Sequence, residues 1–175
     1  MKKIVIVNGI VAGLIVGTIM FITVGIYHKT GDFENGMLVG YASMLLAFSM
    51  IFVAVKNYRD KHNGGIISFG KAFKIGILIT LIASSIYVAV WLFEYYVFYP
   101  DFGEKYTAQM LEKLKAGGAS DTEIARQAKE MAGFNEMYKN PFFNALITYT
   151  EILPVGLLVT ILCSFILKRK VKPAL

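Results

Sequence analysis

The sequence predicts an all-α integral membrane bundle of four transmembrane helices, with an extracytoplasmic amphipathic helical hairpin between helices 3 and 4. Three observations carry this. Of the 175 residues, 56% are apolar before the 16 glycines are counted, and only 17% are charged, against about 25% charged in soluble domains. Four apolar runs, at about 4–27, 37–55, 75–99 and 142–167, each approach or exceed the roughly 20 helical residues needed to cross a hydrocarbon core of about 30 Å. The remaining long stretch, 101–140, is charged but keeps a helical period in its apolar residues. The chain reads as one membrane domain over residues 1–175. Disorder and a coiled coil fail on the same composition, since one needs few apolar residues and the other many charges.

The first run follows Lys2 and Lys3 as a signal peptide would, but it is longer than the usual cleavable core of about 7–15 residues and no A-x-A site follows, so it is expected to stay as a helix. Gly9, Gly13 and Gly17 align on one face of it, where missing side chains let another backbone approach closely. Packing inside one protomer is the favoured use of that face, and homo-dimerisation the alternative. Gly36-x-x-x-Gly40 repeats the device at the start of the second run. After the second run, Asn63-Gly64-Gly65 signals a turn, and Ser68 stands where a helix cap is needed before the third.

The third run ends in Trp91, Phe93, Tyr95, Tyr96, Phe98 and Tyr99, an interfacial aromatic belt by composition, with a hydrophobic ligand groove as the alternative. In 101–140, Tyr106, Met110, Leu111 and Leu114 recur at helical spacing and Gly117-Gly118 breaks the pattern. Ser120-x-x-Glu123 then forms a capping box ahead of Ile124, Ala128, Met131 and Tyr138. Two short amphipathic helices follow from this, acting as a spacer between spans or as a lid or partner-binding surface.

Charge sets the expected topology. With both termini cytoplasmic, the inner segments hold Lys2, Lys3, Lys56, Arg59, Lys61, Lys71, Lys74, Lys168, Arg169, Lys170 and Lys172, whereas the first outer loop holds Lys29 alone. This bias also disfavours a dual-topology transporter. Of these, Lys56, Arg59, Lys71, Lys74, Lys168, Arg169 and Lys170 are expected to contact anionic lipid headgroups, at about 1 kcal/mol for each well-placed charge. The net charge of +6 does not point to nucleic acid, because no RNP or helix-turn-helix pattern separates the basic residues.

The apolar runs contain two acids, Glu94 and Glu151, and an ionised carboxylate at depth costs at least a few kcal/mol and faces protein or water. Glu151 falls near mid-membrane; Glu94 is shallower, within reach of the interface by a modest tilt. Each continues a polar stripe: Thr80, Ser84, Tyr87, Trp91 and Glu94 on the third span, Asn144, Thr148 and Glu151 on the fourth. Facing stripes predict a small polar cavity in the outer half of the bundle, closed above by the amphipathic segment and floored where Pro154 kinks the fourth helix. Pro154 removes the amide that would bond the carbonyl of Thr150. The carboxylates then serve either as interhelical hydrogen-bonding groups or as a proton or cation site. His28 is a candidate neighbour of Glu94, though a lone interfacial His is more often solvated.

Catalytic motifs are missing: there is no G-x-S-x-G, H-E-x-x-H, Walker loop or dinucleotide-binding glycine pattern. One cysteine, Cys163, and two histidines, His28 and His62, make no familiar metal set, so neither metal nor cofactor is expected. Cys163 reads as a small buried apolar group.

Several stretches resemble the family called domain of unknown function 4199. They are Asn57-Tyr58-Arg59-Asp60 through Ser68-Phe69-Gly70-Lys71-Ala72-Phe73-Lys74-Ile75-Gly76, Tyr99-Pro100-Asp101-Phe102, Asn140-Pro141, and Glu151-Ile152-Leu153-Pro154-Val155-Gly156. The resemblance covers nearly the whole chain. It implies a small multi-span protein of the bacterial inner membrane, found mostly in Bacteroidota, and brings no catalytic residues. The favoured function is a non-enzymatic structural or accessory component that binds membrane lipid, another copy of the chain or a membrane protein partner. The alternative is a proton- or cation-linked transporter or channel subunit using Glu151 and Glu94.

Overall fold

The computed structural model describes residues 1–31 and 35–169. They form six α-helices: α1 (Lys2–Thr30), α2 (Gly36–His62), α3 (Phe69–Phe93), α4 (Phe102–Ala116), α5 (Asp121–Tyr138) and α6 (Pro141–Leu167). Four of the helical segments, α1, α2, α6 and α3 with its continuation to Phe98, are long and apolar enough to cross a membrane. Only 33–39% of each span's most apolar window is buried inside the protein. The outward faces carry Ile6, Leu14, Ile22, Leu45, Leu46, Leu158 and Ile166, apolar surface that water would oppose and lipid accepts.

The helices start where a side chain can satisfy free amides and stop where the backbone turns. Ser68 Oγ accepts from the Lys71 amide at 3.3 Å, Ser120 Oγ from the Glu123 amide at 3.3 Å, and Asn140 Oδ1 from the Phe142 amide at 3.0 Å with Pro141 in the first turn. The Glu123 carboxylate is gripped by Arg126 at 2.6 and 3.2 Å. Gly31 closes α1 at φ 70°, a conformation that suits glycine.

Two helix ends differ from the apolar boundaries. Helix α2 continues to His62 and α3 begins at Phe69, because hydropathy marks what fits in hydrocarbon while a helix runs on until a cap. At its other end α3 passes into a five-residue π-turn, Glu94–Phe98, in which the Tyr99 amide bonds the Glu94 carbonyl at 2.9 Å. Nothing in the sequence announced it.

Around the bundle, α1 packs on α2 and α3, and α6 on the same two helices. The α1 glycine face lies against α3. A Cβ at Gly9 would fall 2.9 Å from Ile82, one at Gly13 2.6 Å from Ile86, and one at Gly17 3.2 Å from Val90. The chain itself therefore fills that face. Gly36 meets the Tyr27 ring, with 3.3 Å from its Cβ position, but nothing lies within 4 Å of a Cβ at Gly40. The second glycine pair is thus not a close-packing seam at Gly40. Between α3 and α6 a reciprocal pair does the work: Gly76 receives Thr160, Gly156 receives Thr80 and Phe48, and the two threonine hydroxyls meet at 3.2 Å. Cys163 is buried beside this seam.

The end of the bundle opposite the hairpin is closed by the main chain. Ile67 and Arg169 exchange amide–carbonyl bonds of 3.0 and 2.9 Å, and Arg59 Nη1 donates to the Leu167 carbonyl at 3.3 Å. Arg59 also pairs with Asp60 at 2.6 Å and its side chain is only 16% exposed, so it secures the C-terminal turn of α6 rather than reaching freely outward. Lys71 sits over the Tyr58 ring and Lys168 over Phe165. Lys56 and Lys74 are exposed. Lys170 lies outside the described residues.

Candidate functional site

The hairpin end holds a half-open cavity of about 700 Å³ reached by all six helices. Its deep wall is Met20 of α1, Ser43 of α2, Tyr87 of α3 and Glu151 with Thr148 of α6; its roof is the apolar side of α4 and α5, with Tyr106, Met110, Met131, Phe134 and Tyr138. Neither roof helix has a buried residue, so they cover the cavity instead of filling it. They are joined at their base, where Asn135 Nδ2 donates to Thr107 Oγ1 at 3.0 Å and Gly103 leaves room for Asn135.

The two polar stripes face each other. Trp91 Nε1 donates to Asn144 Oδ1 at 2.9 Å, and the Thr148 hydroxyl donates to the Asn144 carbonyl at 2.8 Å. Burial raises the pKa of the Tyr138 phenol above its ordinary value. Asn144 and Thr148 are almost wholly buried (0% and 2% exposed), whereas Glu151 is exposed and faces the cavity. No Lys or Arg among the described residues forms an ion pair with it. Pro154 does not line the cavity, and α6 runs from Pro141 to Leu167 through it. The floor is thus built by Met20, Ser43, Tyr87 and Glu151, just before the proline on α6.

Glu94 departs from expectation. Far from leaning out to an interface, it is 0% exposed, and neither carboxylate oxygen has a hydrogen-bond partner. Nor does it line the cavity with Glu151. Depth along a helix axis does not report sideways burial. Glu94 sits on the inward stripe at the start of the π-turn, where Tyr95 is also buried while Phe93, Val97 and Phe98 face outward. The aromatic cluster therefore divides, with Trp91 and Tyr95 turned to the interior.

His28 meets Asp101, not Glu94. Its Nε2 donates to Asp101 Oδ1 at 2.7 Å, Lys105 Nζ reaches Oδ2 at 3.0 Å, and the imidazole lies 4.5 Å from the Tyr99 ring. The hydrogen bonds from His28 and then Lys105 hold the Asp101 carboxyl at a pKa of about 2. This cluster ties the end of α1 to the start of α4. Because the folded pKa is depressed below an unfolded value of about 3.9, the tie contributes stability above that value and loses it as pH falls toward 2. Asp101→Asn is expected to speed hydrogen exchange at the first turns of α4 at neutral pH, and the wild type to approach it below about pH 4 and match it only near pH 2. Identical exchange in the two proteins at neutral pH would show that the cluster does not hold the hairpin.

Four membrane-length helices with a half-open cavity under the hairpin define a small multi-span membrane protein with a pocket at one end. The chain belongs to the family described as protein of unknown function (DUF4199), whose profile matches residues 8–169. No curated protein and no solved structure gives a significant match.

Proposed function

We propose that the protein is a non-enzymatic component of the bacterial inner membrane that holds an amphipathic, lipid-like molecule beneath the α4–α5 hairpin. The observation that supports this is the cavity: about 700 Å³, within the usual range of roughly 300–1,000 Å³ for ligand sites, mostly apolar with a few convergent polar groups. Methionines and aromatics such as Met20, Met110, Met131 and Phe134 line it, side chains that adapt to irregular apolar ligands. On this reading the termini are cytoplasmic, the hairpin is extracytoplasmic, and Lys56, Lys71, Lys74 and Lys168 lie at the cytoplasmic headgroups, following the lysine and arginine bias.

Trp91, the single tryptophan, lines the cavity and reports occupancy. In bilayers containing an uncharged monoacylglycerol brominated on its chain, Trp91 emission is expected to be quenched. Gly40→Phe places a ring where a Cβ meets nothing within 4 Å, on the cavity wall, and is expected to relieve at least half of that quenching. Equal quenching in both proteins would mean that only bulk lipid reaches Trp91, and would overturn the reading.

A second reading, a proton- or cation-linked transporter or channel subunit, is favoured by the accessible Glu151 and the sealed, unpartnered Glu94. It requires ion flux in proteoliposomes that vanishes in Glu151→Gln. Flux absent from wild type under a gradient or a voltage removes it.

A further inference from the structure

We propose that the occupant the cavity selects is a hydrophobic monovalent cation, with its positive charge beside Glu151 and its apolar body against Met20, Trp91, Met131 and Phe134. The inference rests on the cavity being a binding site and goes beyond it by fixing the charge of the ligand.

The argument is one of charge placement. Among the described residues, the charged side chains that line the cavity are Lys113, Glu130 and Glu151. Glu130 belongs to the roof and is already paired with Arg126 at 2.9 Å. Lys113 is on the roof helix α4. Glu151 lies ten residues into α6 from Pro141, about 15 Å along the helix at 1.5 Å per residue, and no cationic side chain among the described residues pairs with it. Among the described residues, the inner end of the cavity therefore presents one acid without a cationic partner, amid mostly apolar lining that strengthens attraction to an opposite charge relative to water.

The other deep groups suit the same guest. Tyr87 and Trp91 line the cavity, and aromatic rings attract cations by their quadrupole. Ser43 and Thr148, which line the cavity, already donate their hydroxyl protons to backbone carbonyls of their own helices, Gly40 at 2.7 Å and Asn144 at 2.8 Å, so neither proton is left for an anion. A deep site of one carboxylate, aromatic side chains and hydroxyls whose protons are already used opposes an anion. It also distinguishes an organic cation from a metal ion, because no group of three or more potential metal ligands occurs among the described residues and most of the lining is apolar.

Two probes of nearly the same shape and opposite charge test this: tetraphenylphosphonium and tetraphenylborate, titrated against Trp91 emission of the full chain in detergent, in wild type, Glu151→Gln and Gly40→Phe. Tetraphenylphosphonium is expected to bind wild type at least tenfold more tightly than Glu151→Gln, and tetraphenylborate to leave wild-type emission at the level of Gly40→Phe. Circular dichroism confirms that each variant keeps its helix content; should Glu151→Gln lose it, Glu151→Asp, expected to retain cation binding, takes its place against tetraphenylborate. Equal affinity for the two probes, or for phosphonium in wild type and Glu151→Gln, overturns the charge assignment. If the brominated monoacylglycerol still quenches Trp91 in a Gly40-dependent way, the cavity remains a binding site. If none of the three probes acts through the cavity, both readings fall.

Discussion

Replacing Gly156 by alanine is expected to destabilise the protein by about 3 kcal/mol, the upper part of the range for overpacking a close-packed interior. The added methyl would meet Thr80 and come within 2.7 Å of Phe48. Neither can retreat: Thr80 is 0% and Phe48 1% exposed, and the Thr80 hydroxyl is tied to Thr160. Between membrane helices, where lipid is as apolar as the core, such close approach supplies much of the attraction that water would otherwise provide. Gly40→Ala is the matched control. Its methyl enters open space, and the change is expected to stay within about 0.5 kcal/mol of wild type. Unfolding followed by helix content in detergent reads both. A Gly156→Ala protein as stable as the Gly40→Ala protein would show that α3 and α6 are not in contact through this seam.

Glu94→Met is expected to act in the opposite sense and raise stability by about 1–3 kcal/mol, the cost of a buried polar group left without a partner. Both oxygens of Glu94 are buried and unpartnered, and methionine has nearly the same length without oxygens to desolvate. Glu94→Gln serves as the comparison, since its amide inherits the same lack of partners and should remain close to wild type. The same unfolding titration decides the matter. A Glu94→Met protein less stable than wild type would mean that the carboxyl carries a bond worth more than its burial, and would move Glu94 from structural burden to ion or proton site.

The sequence made the four spans and the hairpin readable because hydropathy over twenty residues and a glycine pair between two periodic segments are local signals. Ser68 and Ser120 were readable as caps for the same reason. The face-to-face stripes followed from helical spacing alone, as Trp91 and Asn144 show. Four things were not readable. The π-turn at Glu94–Phe98 has no compositional mark, and by adding a residue to the turn it alters which side chains face inward. The relative burial of the two acids was inverted, because helical depth orders Glu151 below Glu94 while tertiary packing seals Glu94 and leaves Glu151 open to a cavity. The partners of His28 and Arg59 are long-range in sequence, Asp101 and the Leu167 carbonyl, and no local pattern names them. Gly76 and Gly156 escaped as well: each packs against a threonine of the opposite helix, so neither needs a second glycine four residues away.

The bundle is fastened differently at its two ends. Far from the hairpin, α6 is clipped to the α2–α3 loop through the Ile67–Arg169 bridge and Arg59, while at the hairpin end side-chain bonds such as Trp91 to Asn144 join it to α3. A helix of 27 residues is about 40 Å long at 1.5 Å per residue. The clip and the Gly156–Thr80 seam together hold the far half of α6 like a clamped beam, and the cavity is built against the near half, at Thr148 and Glu151.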